Sequence, residues 1–384
     1  MQRGVATFTL DHGQCPPWLF ERMVRLGREM TQVLVDEYGP DEFIKRIADP
    51  VWFQSLGTVL AFDWNGSGLT TILTAALKEA IRGQERDLGI FICGGKGKTS
   101  RKTPEQIESW GQTLNLPQNT TKSLVRNSKM SAKVDSSLVQ DGYQLYHHTF
   151  FFSTNGAWTV VQQGMNTTNK TARRYHWFDV LNPQSHHDFV NEPHAGIASQ
   201  KRGGAVLNLV AKDSDKTREV SQELVKAGYK QIFDDLQLLQ KHSNFASKML
   251  SFKFKDEKYT FLKLSHQDFN HHPVEFEDFA SSKYLDKILR KITEQKPGSY
   301  EAMVEMQGVG PKTVRSLALV AEVIYDAVPS YEDPARYSFA HGGKDAVPYP
   351  IDRETYDTTI NILRQAVHKT KIPPLEKDKI LKRL

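Results

Sequence analysis

The spacing of apolar residues predicts helices in the first part of the chain. From Leu19 to Tyr38 apolar side chains recur every three or four positions, a period typical of an amphipathic helix. Gly39 and Pro40 follow directly and are expected to end the helix, because proline cannot continue a helix and glycine readily adopts a non-helical conformation at a helix end. The same pattern predicts a shorter helix at 41–47 and a further helix at 69–81.

Two apolar runs on either side of the 69–81 helix are rich in residues typical of strands. They are TVLAFDW at 58–64 and LGIFICGG at 88–95, and the turn signal NGSG separates the first run from the helix. A strand, a helix and a second strand in this order form a βαβ unit, in which the two strands are parallel. The N-terminal part is therefore predicted to be mixed α/β.

The middle of the chain has the pattern of a β-hairpin. QLYHHTFFFS and AWTVVQQGM flank Asn155-Gly156, a dipeptide that favours the tight turn between two antiparallel strands. Residues 143–165 are therefore predicted to form such a hairpin, and RRYHWF at 173–178 is expected to join it as a third strand.

From about Ser214 the apolar spacing becomes helical, and only SFKFKDEKYTFLKLS at 251–265 fits either a helix or a strand. The predicted fold class is mixed α+β, with an α/β N-terminal half, a central β-hairpin region and an α-helical C-terminal half. We predict three domains: a mixed α/β domain at 1–135, a hairpin-containing region rich in His and Arg at 136–205, and a helical domain at 206–384.

Composition narrows the class of protein. Of the 384 residues, 39% are hydrophobic and 10% aromatic, which is typical of a folded globule and not of a disordered chain. We find neither an apolar run near the length of a membrane span nor the apolar core of a signal peptide, so we expect a cytoplasmic protein without a membrane partner. Cys15 and Cys93 are too few for a disulfide framework or a cysteine-rich zinc site, and we expect reduced thiols.

Positive charge is concentrated in one segment. The net charge is only +5, but residues 96–133 contain eight basic and two acidic side chains. Such a strip is either a solvated surface or a site for a polyanion. Four of its residues follow a strand and a glycine-rich turn and are candidate contacts to a nucleic-acid backbone: Lys96, Lys98, Arg101 and Lys102.

The most specific motif is EMQGVGPKT at 305–313, which lies between two helical patterns. A Gly-x-Gly turn between helices is typical of a helix-hairpin-helix, in which the glycines bring backbone N–H groups close to a DNA phosphate and the second helix begins beside it. The alternative is a hairpin of two helices without a ligand. The predicted nucleic-acid contacts are Gly308, Val309, Gly310, Lys312 and Thr313.

Residues 280–325 resemble the helix-hairpin-helix DNA glycosylases of the endonuclease III type, which carry Leu-Pro-Gly-Val-Gly-x-Lys-Thr-Ala. The resemblance implies that Lys312 is a Schiff-base nucleophile attacking C1′ of a damaged nucleotide; the alternative is a lysine that only contacts phosphate. It also implies an aspartate near the start of a following helix. Asp352 in PYPIDRET matches that context better than Asp333, although Asp352 lies further from Lys312 and could be an ordinary helix cap.

Over nearly its full length the chain also resembles an uncharacterised prokaryotic family, number 763 in the domain-of-unknown-function series. The resemblance rests on segments such as DPVWFQSLGTVLAFDWNGSGLTT, GGKGKTSRKTPEQI, YHHTFFF and GVGPKT. It implies no reaction. It does imply that the hairpin belongs to a larger shared assembly of parts and is not a tail on an unrelated enzyme.

Histidines cluster between 147 and 194. One interpretation is a divalent-metal site with His147, His148 and His176 as ligands. Another is a pocket without metal in which Arg173 and Arg174 clamp phosphate, and a third is a set of unrelated histidines. Because neighbours on a strand point to opposite faces, only one of His147 and His148 should face a given site. The predicted catalytic residues are His148 and Gln162, which lies on the paired strand.

Together these patterns predict a DNA-binding repair enzyme of the base-excision glycosylase or lyase type, using Lys312 and Asp352. No cofactor is expected for this reaction. The first alternative is a metal-dependent nuclease, with the active site at 143–194 and the hairpin as a DNA clamp, for which a divalent metal would be needed. The second alternative is a DNA-binding protein without catalytic activity.

Overall fold

A five-stranded antiparallel sheet forms the centre of the protein. The computed structural model describes residues 10, 15–60, 66–182, 187–199, 206–249, 282–335 and 353–382. The strand order is β1-β3-β4-β5-β6, and β2 pairs with β7 in a separate small sheet. The strands are β1 (Ile90–Lys96), β2 (Val139–Gln140), β3 (Gln144–Ser153), β4 (Ala157–Asn166), β5 (Thr171–Val180), β6 (His194–Ser199) and β7 (Leu207–Asn208).

Helices surround this sheet and make up most of the C-terminal half, which confirms the predicted mixed α+β class. In the N-terminal half the α-helices are Pro17–Tyr38, Pro40–Ala48, Pro50–Val59, Gly66–Ala80, Glu85–Leu88, Thr103–Thr113 and Gln118–Ser137. After the sheet they are Asp215–Ala227, Tyr229–Met249, Lys283–Gln295, Tyr300–Glu305, Pro311–Tyr325, Arg353–Lys369 and Pro374–Leu381. In the described part of the chain, no helix has the length and apolar character needed to span a membrane.

The predicted hairpin is confirmed. β3 and β4 pair in antiparallel register around the turn, and Gly156 has a φ of 99°, a conformation that glycine adopts without strain. The predicted third strand is also present as β5, which pairs with β4 along its whole length.

The predicted βαβ unit is wrong. Thr58 and Val59 complete the helix Pro50–Val59, and β1 pairs antiparallel with β3. The helix begins where the side chain of Asp49 accepts hydrogen bonds from the N–H groups of Val51 and Trp52, so the apolar run continues a buried helix and does not start a strand. The remainder of the predicted strand, at 61–64, and the ambiguous segment 251–265 lie outside the described residues.

Both faces of the sheet are buried, so side chains alternate between two environments. One face packs on the N-terminal helices through residues such as Ile92, Phe151 and Val161. The other packs on helix 118–137 and the C-terminal helices through residues such as Phe150 and Trp177. β1 lies within the predicted domain 1–135 and its partner β3 within 136–205, so one sheet joins these two segments.

Candidate nucleic-acid interface

The Gly-x-Gly motif forms a turn between helices Tyr300–Glu305 and Pro311–Tyr325. Gly308 has a φ of 99°, and a Cβ there would lie 2.4 Å from Ile288 Cδ1. Its carbonyl oxygen accepts a hydrogen bond from the Tyr284 hydroxyl at 3.2 Å. Glycine at this position therefore allows both the left-handed turn and its close approach to the helix Lys283–Gln295.

The end of this turn is open. Gly310 is extended, with a φ of −149°, and a Cβ built on it would meet no atom within 4 Å. Lys312 is partly exposed in the first turn of the following helix. Val309 and Thr313 are only 4% and 2% exposed, so their side chains belong to the core. Of the five predicted contacts, Gly308, Gly310 and Lys312 thus present surface that a ligand could reach.

Cationic side chains hold the hairpin in place. Lys133 Nζ donates to the carbonyl oxygen of Met306 at 2.7 Å, and Lys291 Nζ donates to that of Gln307 at 2.8 Å. Arg126 forms ion pairs with Glu301 and Glu305 at 2.8 and 2.7 Å. Lys133 and Arg126 both lie on helix Gln118–Ser137, so two of the eight basic residues of the charged segment have a structural role.

The other six basic residues of that segment are exposed on the surface: Lys96, Lys98, Arg101, Lys102, Lys122 and Lys129. The first four lie at the end of β1 and in the short 3-10 helix Gly97–Lys102 that follows it, a segment that we call the basic loop, residues 96–102. Gly94 places this loop close to β3, because its φ is 89° and a Cβ there would lie 2.3 Å from the carbonyl oxygen of His148. Lys78 Nζ donates to the carbonyl oxygen of Gly94 at 3.1 Å and fixes the start of the loop.

A cleft of about 240 Å³ separates the basic loop from helix 118–137. We call it the loop cleft. Arg101 lines it on the loop side, Lys129 lines it on the helix side, and both side chains are exposed. Pro104, Ala132 and Leu145 provide apolar surface, and Ser128 and His148 provide polar surface. The predicted basic segment and the predicted histidine strand are therefore brought together at one place.

His148 is fully hydrogen-bonded. Its Nδ1 lies 2.8 Å from Gln162 Oε1 and its Nε2 lies 2.9 Å from Ser128 Oγ. Since Gln162 Nε2 donates to Asp135, its oxygen is the acceptor, which assigns the proton of His148 to Nδ1. Burial lowers the pKa of His148, so the ring is neutral near pH 7. The predicted pair His148 and Gln162 thus exists as a buried network connected to Asp135.

His147 and His176 lie on the opposite face of the sheet from His148. The His147 Nε2 atom contacts Thr74 and Thr149 hydroxyls at 3.2 and 2.9 Å, and burial, with His148 and Lys96 adding to it, lowers its pKa to about 3. His176 Nδ1 donates to the carbonyl oxygen of Ile47 at 3.1 Å. The three predicted metal ligands therefore do not converge.

No group of three metal-binding side chains occurs in the described ranges of the chain. A metal site built from His147, His148 and His176 is thus not supported by the positions of these rings. Asp352, the predicted partner of Lys312, lies outside the described residues.

The two arginines predicted to clamp phosphate are buried. Arg173 donates to Asp141 at 2.9 Å and to Asp333 at 2.7 Å, and all three side chains are at most 3% exposed. Against the opposing effect of burial, these carboxylates raise the pKa of Arg173. Asp333, the second candidate for a catalytic aspartate, is therefore an ion-pair partner in the core.

Arg174 is also inaccessible. Its guanidinium donates to Gln54, Thr70 and His176, with distances of 3.2, 3.2 and 2.8 Å. Burial lowers the pKa of Arg174 to about 9. Because both guanidinium groups are engaged within the core, neither is placed to contact a DNA backbone, and the predicted clamp is not supported.

Sequence reasoning did not single out the contact between Asp135 and His194. His194 Nε2 lies 2.5 Å from Asp135 Oδ1, while Trp177 Nε1 donates to Asp135 Oδ2 at 3.0 Å. His194 lines a second cleft of about 190 Å³, whose other charged residues are mostly acidic: Glu192, Lys212, Asp213, Glu332 and Asp333. The two residues are 59 positions apart, so no local spacing could reveal the pair.

Comparison with known proteins agrees with the nearly full-length resemblance. A family described as "Protein of unknown function (DUF763)" matches residues 4–351. The chain belongs to this family. No curated protein and no solved structure matches the chain. The matched residues include the sheet, the basic loop and the hairpin.

Proposed function

We propose that this protein binds DNA through its phosphate backbone and acts on it as a repair enzyme of the base-excision type. The observation that supports this best is the open end of the hairpin turn, where Gly310 leaves its backbone accessible and Lys312 follows in the first helical turn. A phosphate oxygen at this point would meet backbone N–H groups, the positive end of a helix and a lysine.

The hairpin is suited to this task because it is held before DNA arrives. Lys133 and Lys291 donate hydrogen bonds to two carbonyl oxygens of the turn, whose partial negative charge would otherwise repel a phosphate. Six further cations of the basic segment 96–133 are exposed and contribute to the long-range attraction of DNA. Since these contacts address phosphate and not base edges, we expect binding that is largely independent of DNA sequence.

The chemical part of the proposal rests on Lys312. Its amine would form a bond to C1′ of a damaged nucleotide while the bond from C1′ to the base breaks, and one amine proton passes to the departing base. The C1′–O4′ bond then breaks, O4′ takes up the second amine proton, and the C1′–nitrogen double bond that results is a Schiff base that borohydride can reduce. Asp352 is retained as the acid–base partner of this step. We expect Lys312→Ala to abolish trapping on DNA with an abasic site and to weaken binding only modestly.

Binding is tested with two glycine variants that differ only in position. Gly310→Val adds a β-branched side chain where nothing lies within 4 Å, and Gly298→Val does the same at a similarly open site outside the turn. Fluorescence anisotropy with a duplex should show a large loss of affinity for the first variant and little change for the second. Equal affinities of the two folded variants would exclude the hairpin as the clamp.

A nuclease remains the second candidate because of Asp135 and His194. A buried carboxylate that orients a histidine at a cleft is an arrangement that supports general-base catalysis. The acidic residues around this cleft repel a polyanion, which makes it a less favourable place for DNA than the hairpin. Cleavage of undamaged DNA that is lost in His194→Gln and retained in Lys312→Ala would favour this candidate over the first.

A further inference from the structure

We propose that the loop cleft receives one unpaired nucleotide of the bound DNA, with the base inside the cleft and its phosphate at the cleft entrance. This inference rests on the DNA binding proposed above and specifies which form of DNA the protein recognises away from the hairpin. It assigns a ligand to the space between residues 96–102 and helix Gln118–Ser137.

The size of the cleft favours a single ring system. Its volume of about 240 Å³ is below the roughly 300–1,000 Å³ that is usual for pockets holding drug-sized ligands. One base fits such a space, whereas a duplex does not. Pro104, Ala132 and Leu145 supply apolar surface for the face of a base, which is the kind of contact that tolerates different bases.

Polar groups are present where the edge of a base would lie. Ser128 Oγ is 2% exposed at residue level and donates its proton to His148 Nε2, so its oxygen retains the capacity to accept a hydrogen bond from a base N–H group. The neutral ring of His148 keeps this hydroxyl in position. A polar edge at one end of an apolar cleft matches the chemistry of a nucleobase better than that of an aliphatic ligand.

Charge at the entrance fits a phosphate. Arg101 and Lys129 line the cleft from opposite sides and are exposed, and neither is used in an ion pair within the described residues. Lys96, Lys98 and Lys102 extend the positive surface along the loop. A nucleotide whose base enters the cleft would therefore leave its phosphate between a guanidinium and an ammonium group.

Helix 118–137 connects this cleft to the hairpin. Lys129 and Ala132 line the cleft, and Lys133 holds the hairpin turn through the carbonyl oxygen of Met306. Residues 129 and 133 are one helical turn apart, about 6 Å along the axis. A DNA strand with one phosphate at the hairpin could thus place a nearby unpaired nucleotide at the cleft, as an unstacked base in a damaged or partly single-stranded site requires.

The test uses a short oligothymidylate containing one 2-aminopurine, and the same oligonucleotide in a duplex. Wild-type protein should bind the single strand with a change in 2-aminopurine fluorescence. Ala132→Phe fills the cleft and should weaken single-strand binding roughly tenfold while duplex binding stays within about twofold. Arg101→Gln combined with Lys129→Gln should reduce the salt slope of single-strand binding by about 0.7 for each lost phosphate contact.

Matched controls are Ser136→Phe, at an exposed position of the same helix, and Arg364→Gln combined with Lys371→Gln, two exposed cations outside the basic loop and helix 118–137. Normal single-strand binding by folded Ala132→Phe would overturn the proposal, as would an equal loss in both charge pairs. If Ala132→Phe does not fold, the comparison of Arg101→Gln with Lys129→Gln against its control pair tests the proposal. Duplex binding without single-strand binding by the wild type would refute the cleft alone, whereas failure to bind either DNA would refute the proposed function itself.

Discussion

Lys133 Nζ lies 2.7 Å from the carbonyl oxygen of Met306, and this contact joins the basic helix to the hairpin turn across 173 positions of the chain. Lys133 is half-buried, and burial lowers its pKa, with Lys291 adding to the effect. A cation held in this way fixes the direction of the hairpin relative to helix Gln118–Ser137. The stability of the hairpin and its affinity for DNA should therefore be coupled through this residue.

Replacing Lys133 by methionine tests that coupling. Methionine keeps most of the length of the side chain but removes one of two donors to the Met306 carbonyl oxygen, which keeps the hydrogen bond from the Val309 N–H at 3.2 Å. The loss of one hydrogen bond should lower the free energy of unfolding by about 0.5–1.5 kcal/mol. Duplex affinity should fall as well, because the turn is no longer oriented. Urea denaturation and anisotropy measure the two effects. Lys122→Met is the control, since Lys122 is exposed on the same helix; equal effects of both variants would contradict the structural role of Lys133.

The two hairpin glycines should respond differently to alanine. Gly308→Ala forces a Cβ into a left-handed conformation and against Ile288 Cδ1, and we expect a loss of about 1–3 kcal/mol. Gly310→Ala is extended and open, so the free energy of unfolding should change by less than about 0.5 kcal/mol. Thermal unfolding of the two variants side by side provides the measurement. Similar losses at both positions would show that the turn is built differently.

Arg173 should be among the most sensitive positions of the core. Arg173→Met leaves the buried carboxylates of Asp141 and Asp333 facing each other without a cation, and removing one member of a buried ion pair costs about 3–5 kcal/mol. The exposed ion pair of Arg82 and Glu79 offers a control, because Arg82→Met should cost less than about 1 kcal/mol. Chemical denaturation compares them. Partial rescue of Arg173→Met by Asp141→Asn with Asp333→Asn would identify unpaired charge as the cause.

Acid should destabilise the protein as the pH falls below about 6.5, the ordinary pKa of histidine. His147, His148 and His176 are buried, and burial lowers the pKa of each ring, that of His147 to about 3. In the unfolded chain these three rings take up protons below about pH 6.5, whereas in the folded protein the same rings stay neutral to a lower pH. The free energy of unfolding therefore decreases as the pH falls. Each ring contributes up to about 1.4 kcal/mol per pH unit.

Urea midpoints between about pH 8 and about pH 5 measure this dependence. His147→Gln removes one titrating ring, so its midpoint should fall less steeply with acid than that of the wild type. A midpoint that stays constant or rises as the pH falls would show that these rings are protonated in the folded protein.

Local patterns predicted the elements well where short-range chemistry decides them. Asn155-Gly156 specified the hairpin, and Gly39 with Pro40 specified the end of the first helix. The run at 58–64 misled because a continuous apolar stretch is compatible with a buried helix and with a strand. The cap at Asp49 and Pro50, a few residues earlier, was the signal that a helix had already begun.

In the candidate site, too, the features set by neighbouring residues could be predicted and the contacts between distant residues could not. The Gly-x-Gly turn could be recognised from sequence because all its parts are neighbours in the chain. The contact of Arg173 with Asp333 spans 160 positions and that of His194 with Asp135 spans 59, so neither could be inferred from spacing. Without these partners, Arg173 looked like a phosphate ligand, whereas its place in the sheet makes it a core residue.

The basic loop should contribute to DNA binding through phosphate contacts, separately from the hairpin. We expect its neutralised variant to bind duplex with a reduced slope of log affinity against log salt, by up to about 0.9 for each lost contact. The variant combines K96Q, K98Q, R101Q and K102Q. A control that removes the same number of exposed charges from the C-terminal residues 364–382 combines R364Q, K371Q, K379Q and K382Q.

The comparison between the two variants separates local contacts from net charge. If the loop touches phosphates, only the first variant should lower the slope, because ions are released only where a phosphate is neutralised. A general effect of net charge would change both variants equally, through long-range attraction that salt screens. Equal slopes in the wild type and the loop variant would assign residues 96–102 to solvated surface, and the hairpin would then remain the proposed duplex contact.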